Sequence, residues 1–345
     1  MNKARLRLWL PFILSALLLA LFFNTLRGEA DQLAAALSRL STTWPLLIPA
    51  VALYFFGVWL RSARWGLLLP EHAVKNTTLF RALLVGFTVN NLLPLRMGEV
   101  ARAYLLASWG RVAYTATVAS LLMERVLDGL ALALLLLVAL WLIPNPPSYL
   151  WTVGIIAAAG FLIGGILLAI GAWRASALTA IAEFVSRFVP KRFRPMLINA
   201  SGSFARSLTL VHDPARLARL LGLSLVAWCS ELGLFFVLML SLGIAGNYPQ
   251  ALLVGSAANF ATLLPSSPGY AGTFDAALTK VATDALDLSA GLAGAYDILV
   301  HATLFLPVVV VGTLVLWRSH LSFNQVTHTP QQAPDPQATA VTTGA

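Results

Sequence analysis

The sequence predicts an all-α polytopic integral membrane protein, and both its composition and its long apolar runs support that fold class. Of the 345 residues, 59% are hydrophobic and only 11% are charged, whereas soluble domains carry roughly 25% charged residues. A water-soluble fold with so few charges could not cover its own surface. The apolar residues form continuous runs rather than the two-residue alternation of an outer-membrane barrel, so they predict membrane-spanning helices.

Six apolar segments approach or exceed the length of about 20 residues that a spanning helix needs. They are 6–23, 44–60, 112–143, 150–173, 217–242 and 291–317. The stretch 112–143 is longer than one span requires and is interrupted by charges, so it is either one long tilted helix or two helices end to end. The N-terminus is basic and then apolar but lacks a small-residue cleavage site, which predicts an uncleaved first helix.

Two further apolar segments, 79–95 and 250–265, are too short to cross comfortably and end in Leu-Leu-Pro, where proline stops a helix. We therefore predict that both are re-entrant. With a cytoplasmic N-terminus, a re-entrant 79–95 keeps the basic stretches on the cytoplasmic side, as the positive-inside rule requires. These basic residues are Arg61, Arg64 and Lys75 in 61–78, then Arg96, Arg102 and Arg111, then the basic side chains of 174–216. Six spans then place both termini in the cytoplasm of a plasma (inner) membrane protein.

The two re-entrant segments form a candidate inverted repeat. Each runs from asparagine through Leu-Leu-Pro and glycine to an acid, over Asn90–Glu99 and Asn259–Asp275. In this topology they enter from opposite faces, which is typical of transporters whose site lies between two repeats. The transmembrane domain is predicted to cover 1–320, and the polar, proline-containing segment 321–345 is predicted to be a disordered cytoplasmic tail.

The net charge of +9 is typical of a membrane protein with basic cytoplasmic loops, so we predict no nucleic-acid partner. Cys229 is the single cysteine, which excludes an intramolecular disulfide and a cysteine metal cluster. No metal site and no cofactor are predicted. The chain carries no nucleotide-binding motif, so an ATP-driven pump is excluded for this chain alone.

Three clusters combine polar or charged residues with membrane depth, where each charge costs on the order of 2.5–3.5 kcal/mol and needs a partner. In the first, Arg96 and Arg102 are spaced to hold a phosphate while Glu99 orients one of them; the alternative is a plain topological signal. In the second, Glu124, Arg125 and Asp128 form either a network that reaches the first cluster or a structural ion pair between two helices.

The third cluster is the loop 264–275, whose two prolines and two glycines build an irregular backbone. Its free N–H groups and serine hydroxyls are suited to bind an anion, unless the loop is a plain extracellular turn. Glu231, Asp297 and His301 also lie within apolar runs. The four-residue spacing of Asp297 and His301 predicts a helical pair, which acts as a proton relay or contains a satisfied core histidine.

The predicted substrate-binding residues from these clusters are Asn90, Asn91, Arg96, Glu99, Arg102, Glu124, Arg125, Asp128, Asn259, Ser266, Ser267, Pro268, Gly269, Gly272, Asp275 and His301.

Three motifs together resemble the lysylphosphatidylglycerol synthase transmembrane-region family, also called flippase-like membrane proteins. They are Asn90-Asn91 with Leu93-Pro94-x-Arg96-x-Gly98-Glu99-x-x-Arg102, then Glu124-Arg125-x-x-Asp128, then Pro265-x-x-Pro268-Gly269-x-x-Gly272-x-x-Asp275. The resemblance covers 5–320 and implies a lipid-translocating role. Tyr270 and Asp275 stand where many members have Gly and Glu, so the lipid is not carried over from the aminoacyl-lipid members. The chain resembles a stand-alone member without the synthase domain, so no lysyl-transferase activity is implied.

The sequence thus predicts a protein that moves an anionic or polyprenyl-linked lipid between leaflets. Arg96 and Arg102 would hold the head group at the cytoplasmic side, and the loop 266–272 would hold it at the outer side. One alternative is an intramembrane transferase on a lipid-linked substrate, with Glu99 or Asp275 as base. Another is an accessory or scaffold subunit of envelope lipid biosynthesis, for which lipid-synthesis enzymes are the candidate partners.

Overall fold

The computed structural model describes residues 13, 15–22, 24, 26–69, 74–93, 96–173, 183, 186–187, 213–263, 267–321 and 325–326. Within these ranges the chain is helical and contains no strand. The helices are α1 (Ala30–Ser38), α2 (Leu40–Thr43), α3 (Leu47–Leu68), α4 (Asn76–Leu92), α5 (Met97–Gly110), α6 (Tyr114–Leu142), α7 (Ser148–Trp173), α8 (Pro214–Ser241), α9 (Tyr248–Ala261), α10 (Thr273–Leu286) and α11 (Ala290–Arg318), with 3₁₀ turns at Trp44–Leu46 and Pro268–Tyr270.

Five helical segments in the described part of the chain are long and apolar enough to cross a membrane. They are Ala30–Leu68, Ala116–Leu142, Ser148–Leu167, Pro214–Ser241 and Ala290–Arg318. Each corresponds to one of the predicted spans, so the prediction of an all-α polytopic membrane protein is confirmed. The segment 112–143 contains a single 29-residue helix, α6. Much of the predicted first span 6–23, of the basic stretch 174–216 and of the tail 321–345 lies outside the described residues.

Capping residues explain where the later helices begin. Asp213 accepts hydrogen bonds from the N–H groups of Ala215 and Arg216 at the start of α8. Asn247 and Gln250 form a reciprocal capping box at the start of α9, and Ser289 accepts from the N–H of Leu292 at the start of α11. These side chains satisfy N–H groups that have no partner within the helix, a need that is greatest where water is scarce.

Helices α4 and α5 form an antiparallel hairpin, because the chain turns back after Leu92. A Cβ atom on Gly98 would overlap the carbonyl oxygen of Gly86, so the two helices approach too closely for any residue but glycine. The Gly98 N–H also donates to Oδ1 of Asn90 at 2.7 Å. With 17 residues, α4 is about 26 Å long, shorter than the hydrocarbon core of about 30 Å. The re-entrant character of 79–95 stays a prediction.

Helices α9 and α10 pack against each other. We call the connection between α4 and α5 the first break, and the connection between α9 and α10, residues 262–272, the second break. The 14 residues of α9 reach only about 21 Å. Within the break, Gly269 and Gly272 have φ values of +67° and +92°, which glycine adopts without strain. The two breaks meet, because Nη2 of Arg96 donates to the Thr262 carbonyl at 2.7 Å.

The predicted position of Arg61 and Arg64 in a cytoplasmic loop is wrong. Helix α3 continues to Leu68, eight residues past the predicted end of the span, and both arginines are buried, with 4% and 0% exposure. The helix continues because each arginine has a buried carboxylate partner on another helix, and such pairing lets charges remain at membrane depth.

The orientation of these hairpins in the membrane is testable with single cysteines in a Cys229→Ser background. We expect cysteines at Lys75, Arg111 and Arg194 to resist a membrane-impermeant maleimide in intact cells, because the positive-inside rule predicts that the basic loops face the cytoplasm. Ser38→Cys, an exposed position on the predicted outer side, is the labelled control. Labelling of position 111 or 194 from outside would contradict a re-entrant α4.

Candidate functional site

A cavity of about 170 Å³ lies where the two hairpin breaks meet helices α3, α6, α8 and α11. Half of the predicted binding residues line it: Asn90, Asn91, Glu124, Arg125, Asp128, Asn259, Gly269 and His301. Its apolar wall comes from Phe87, Phe274, Leu304 and Phe305. The cavity therefore combines charged and aromatic surface within the helical bundle.

Arg61 of α3 forms one wall and was not among the predicted site residues. Its Nη1 lies 2.5 Å from Oε2 of Glu231 on α8, and its guanidinium lies 4.4 Å from the Trp228 ring centroid. The pair is buried, which requires a close partner for each charge. The sequence feature that could have identified Arg61 is Glu231, an acid within an apolar run. Such an acid needs a cation, and here the cation comes from another helix.

Arg64, one turn after Arg61, pairs with Asp128 of α6 at 2.5 Å and is fully buried. Its Nη1 also donates to Oγ of Ser224 at 2.8 Å. Trp228 donates from Nε1 to the same Asp128 oxygen at 3.0 Å. Asp128 therefore receives hydrogen bonds from two elements and links α3, α6 and α8.

Arg102 is not positioned as the sequence predicted. Both of its terminal nitrogens donate to Glu124, at 2.9 and 2.8 Å, and its side chain is only 1% exposed. The guanidinium lies 4.2 Å from the centroid of the Trp65 ring. The Glu124 carboxylate occupies both terminal nitrogens and the side chain is buried, so this fork is not available to hold a phosphate.

Glu99 likewise has a partner other than the predicted Arg96 or Arg102. It pairs with Arg125 of α6 at 2.8 Å, with side-chain exposures of 30% and 36%. Arg125 lines the cavity. The predicted network that joins the second cluster to the first is therefore present, through the pairs Arg102–Glu124 and Arg125–Glu99.

Arg96 differs from the other four arginines of this region because it pairs with no carboxylate among the described residues. It caps α5 from a left-handed backbone conformation with φ +53°. Its guanidinium donates to the Thr262 carbonyl and lies 6.0 Å from the Tyr270 ring centroid. A half-buried cation without a counter-charge is suited to bind an anion.

The backbone of the second break is largely used within the protein. The Ser267 N–H donates to Oγ of Ser15 at 2.8 Å, and the Gly272 N–H donates to Oδ2 of Asp275 at 2.6 Å. The predicted free N–H groups are therefore occupied at these two positions. Pro268 opens the 3₁₀ turn, and Ser266 lies outside the described residues.

His301 contacts Asp275 rather than the predicted Asp297. Its Nδ1 lies 2.5 Å from Oδ1 of Asp275, and its ring packs edge-on against Phe274 at 5.5 Å. Asp297 is 1% exposed and contacts Asp275 from the same helix as His301. No group of three metal-ligating side chains with metal-site geometry occurs in the described ranges.

The sequence model of the lysylphosphatidylglycerol synthase TM region matches residues 8–312. The chain belongs to this family. The resemblance inferred from the three motifs is thereby confirmed, and the cavity lies within the matched range of this lysylphosphatidylglycerol synthase TM region protein.

One curated relative is the glycosyltransferase AglD of Haloferax volcanii, which is 27% identical over 323 residues. The match covers 82% of this chain and 50% of AglD, so the chain spans about half the length of that relative. No solved structure matches the chain.

Proposed function

We propose that this protein moves a phosphate-bearing amphipathic lipid, either anionic or polyprenyl-linked, between the leaflets of the membrane. The observation that carries the proposal is Arg96, a cation without a carboxylate partner among the described residues, at the point where two broken helices meet. An anionic head group would supply the missing counter-charge.

The walls of the cavity fit the two parts of such a lipid. Arg125 and the asparagines Asn91 and Asn259 line it together with the apolar residues Leu304 and Phe305. A head group must cross about 30 Å of hydrocarbon, and a polar cavity between two short helices lowers that barrier. A volume of about 170 Å³ suits a head group, while the acyl or prenyl chains would remain in the bilayer.

The family and the relative support this class of substrate. The family is named for a lysylphosphatidylglycerol synthase, and AglD is named a glycosyltransferase. Taken together, the two names favour a phospholipid or a lipid-linked glycan as the substrate of this site. Such a substrate belongs to the biosynthesis of the cell envelope.

A transferase that acts on a lipid-linked substrate is the second candidate, because the relative is named a glycosyltransferase. In that reading the Asp275–His301 pair beside the cavity would supply the base. Glu99 is less suited to that role since Arg125 holds it in an ion pair.

The test begins with native mass spectrometry of the purified wild type and the Arg96→Ala variant. We expect a phosphate-bearing lipid to co-purify with the wild type and to be lost from the variant. A fluorescent analogue of that class, in vesicles of phosphatidylglycerol and phosphatidylethanolamine, should then redistribute between leaflets, as followed by dithionite quenching. Redistribution equal to that in protein-free vesicles would overturn the proposal, and a covalent glycosylated product formed from an added sugar donor would favour the transferase.

Gly269→Val is expected to slow lipid redistribution several-fold and to lower the midpoint of thermal unfolding in detergent by only a few degrees. Gly269 has φ +67°, and a Cβ atom there would lie 3.1 Å from Phe305 and 3.5 Å from the Asn91 carbonyl. Such strain costs about 1–3 kcal/mol and would displace the break from the cavity. Gly160→Val is the matched control, because nothing lies within 4 Å of a Cβ atom at Gly160. Unchanged redistribution in well-folded Gly269→Val would remove this break from the site.

A further inference from the structure

Two carboxyl groups and one imidazole form a cluster beside the cavity, and the proposed lipid site does not use it. Asp275 of α10 contacts His301 through Oδ1, and Asp297 of α11 contacts the Asp275 carboxyl. No arginine or lysine pairs with this cluster among the described residues. Two contacting carboxylates without a cation repel each other unless a proton lies between them.

The burial of Asp297 is an independent observation, and it points to a bound proton in this cluster. The residue is 1% exposed, and its Oδ1 has no hydrogen-bond partner in the described structure. A buried ionised carboxylate with an unsatisfied oxygen is costly, whereas a carboxyl that carries a proton is much less so. His301 has a side chain that is 23% exposed and lines the cavity, so it provides a path between cavity and carboxyls.

Asp275 connects the cluster to the break between α9 and α10. Its Oδ2 accepts from the Gly272 N–H at 2.6 Å, which fixes the end of the segment that carries Gly269 and Tyr270. Tyr270 in turn lies beside Arg96. A change of charge on Asp275 would therefore alter the hydrogen bond that holds the break next to the proposed head-group site.

We propose that Asp275, Asp297 and His301 form a proton-binding site that holds the second break, so that the lipid movement proposed above is coupled to a proton. In the resting state the two carboxyls share one proton. A second proton from the cavity protonates His301 and passes along the Nδ1–Oδ1 hydrogen bond to Asp275. The neutral Asp275 accepts more weakly from Gly272, and the break is released; loss of that proton restores the hydrogen bond.

The other ionisable groups that line the cavity come from α3, α6, α8 and the 3₁₀ turn. They are Tyr54, Arg61, Glu124, Arg125, Asp128, Glu231 and Tyr270. The five charged ones all belong to the ion pairs described above. The cluster of Asp275, Asp297 and His301 therefore differs from them in having no permanent cation.

The proton site is tested by infrared spectroscopy of the full chain in nanodiscs of phosphatidylglycerol and phosphatidylethanolamine, with ¹³C-labelled aspartate. We expect the C=O band of a protonated aspartic acid at pH 7 and its loss in Asp297→Asn, where Asp275 keeps only its contact with His301. In Asp275→Asn the band should persist at a shifted frequency, because Asp297 remains buried. Asp284→Asn is the control on the same helix as Asp275, since Asp284 is paired with Lys280 at 2.5 Å, and it should leave the band intact. Absence of the band in the wild type, its persistence in Asp297→Asn, or its loss on adding sodium at constant pH would overturn the proposal.

The release of the break is tested by the maleimide reactivity of Ala271→Cys in a Cys229→Ser background. Because a maleimide reacts with the thiolate, the labelling rate is divided at each pH by that of the exposed Ser38→Cys variant. We expect this ratio to rise several-fold from pH 8 to pH 6, and to become independent of pH when Asp297→Asn or His301→Gln is added. Labelling that responds equally to pH in all three proteins would overturn the release step. Both readouts are independent of transport, so they decide the site even where the proposed function fails.

The coupling itself rests on the proposed function. In vesicles where the wild type redistributes the lipid analogue, an imposed pH gradient should change the rate several-fold, and Asp297→Asn should abolish that response. Equal rates with and without the gradient would overturn the coupling.

Discussion

Arg96→Ala is expected to reduce lipid redistribution by about 10- to 100-fold, because a hydrogen bond to a charged group contributes about 1.5–3 kcal/mol. Arg96→Lys should recover only a small part of this activity, since an ammonium lacks the planar fork that binds a phosphate through two hydrogen bonds. The rate of dithionite-resolved redistribution in proteoliposomes measures both variants, at equal amounts of reconstituted protein.

Arg81→Ala is the matched control. Arg81 also makes one hydrogen bond, to Oγ of Ser319 at 3.1 Å, and also lies near an aromatic ring, that of Trp109. Neither of these partners lines the cavity, whereas Arg96 contacts Thr262 and Tyr270, which do. We expect the wild-type rate from it. Full activity in Arg96→Lys would reduce Arg96 to a bare positive charge. Failure of both Arg96 variants to fold would assign it instead to the joining of the two hairpins through Thr262.

The spanning helices were predictable because continuous apolar runs identify them without any knowledge of their neighbours. The helical hairpins were predictable for a different reason: proline and glycine interrupt apolar segments that are shorter than the predicted spans. The end of α3 was missed because the predicted span stopped at the first charge. Arg61 and Arg64 remain helical and buried since Glu231 and Asp128 neutralise them, and those partners lie more than 60 residues away in the chain.

The site was only partly predictable, because helical spacing identifies neighbours on one helix and not partners on another. The i, i+4 pattern predicted Asp297 as the partner of His301, but the contact is with Asp275, 26 residues away. Glu99 likewise selects Arg125 on α6 over two arginines of its own segment. The arrangement of the hairpins decides which residues pair in both cases, and it also decides which residue is left without a partner of opposite charge. Arg96 has no carboxylate partner because the acids of the network pair with other arginines.

Glu124→Gln is expected to be the most destabilising conservative change in the network, at about 3–5 kcal/mol. The substitution keeps the shape of the side chain but leaves Arg102 charged and 1% exposed, without the carboxylate that binds both of its terminal nitrogens. The midpoint of thermal unfolding in detergent, read by tryptophan fluorescence, should fall well below that of the wild type.

Glu99→Gln is the control, because it is the same change in a pair whose side chains are about one-third exposed. A partly solvated ion pair contributes only about 0–1 kcal/mol, so this variant should unfold close to the wild type. It should nevertheless slow redistribution, since Arg125 lines the cavity and loses the carboxylate that orients it. Equal unfolding midpoints for the two variants would mean that Glu124 is not confined to a dry interior.

The double variant Arg102→Met, Glu124→Leu removes both charges of the ion pair and tests whether they are needed for stability and for activity. Replacing a buried ion pair with apolar side chains of similar size is often neutral or stabilising, so the double variant should recover most of the stability lost in Glu124→Gln. If it also redistributes lipid at the wild-type rate, the Arg102–Glu124 pair only joins α5 to α6, and the active part of the network narrows to Arg96, Arg125 and Glu99. If stability returns without activity, the electrostatic field of the buried Arg102–Glu124 pair is needed at the cavity, which Glu124 lines. The charges of Arg102 and Glu124 then both belong to the head-group site.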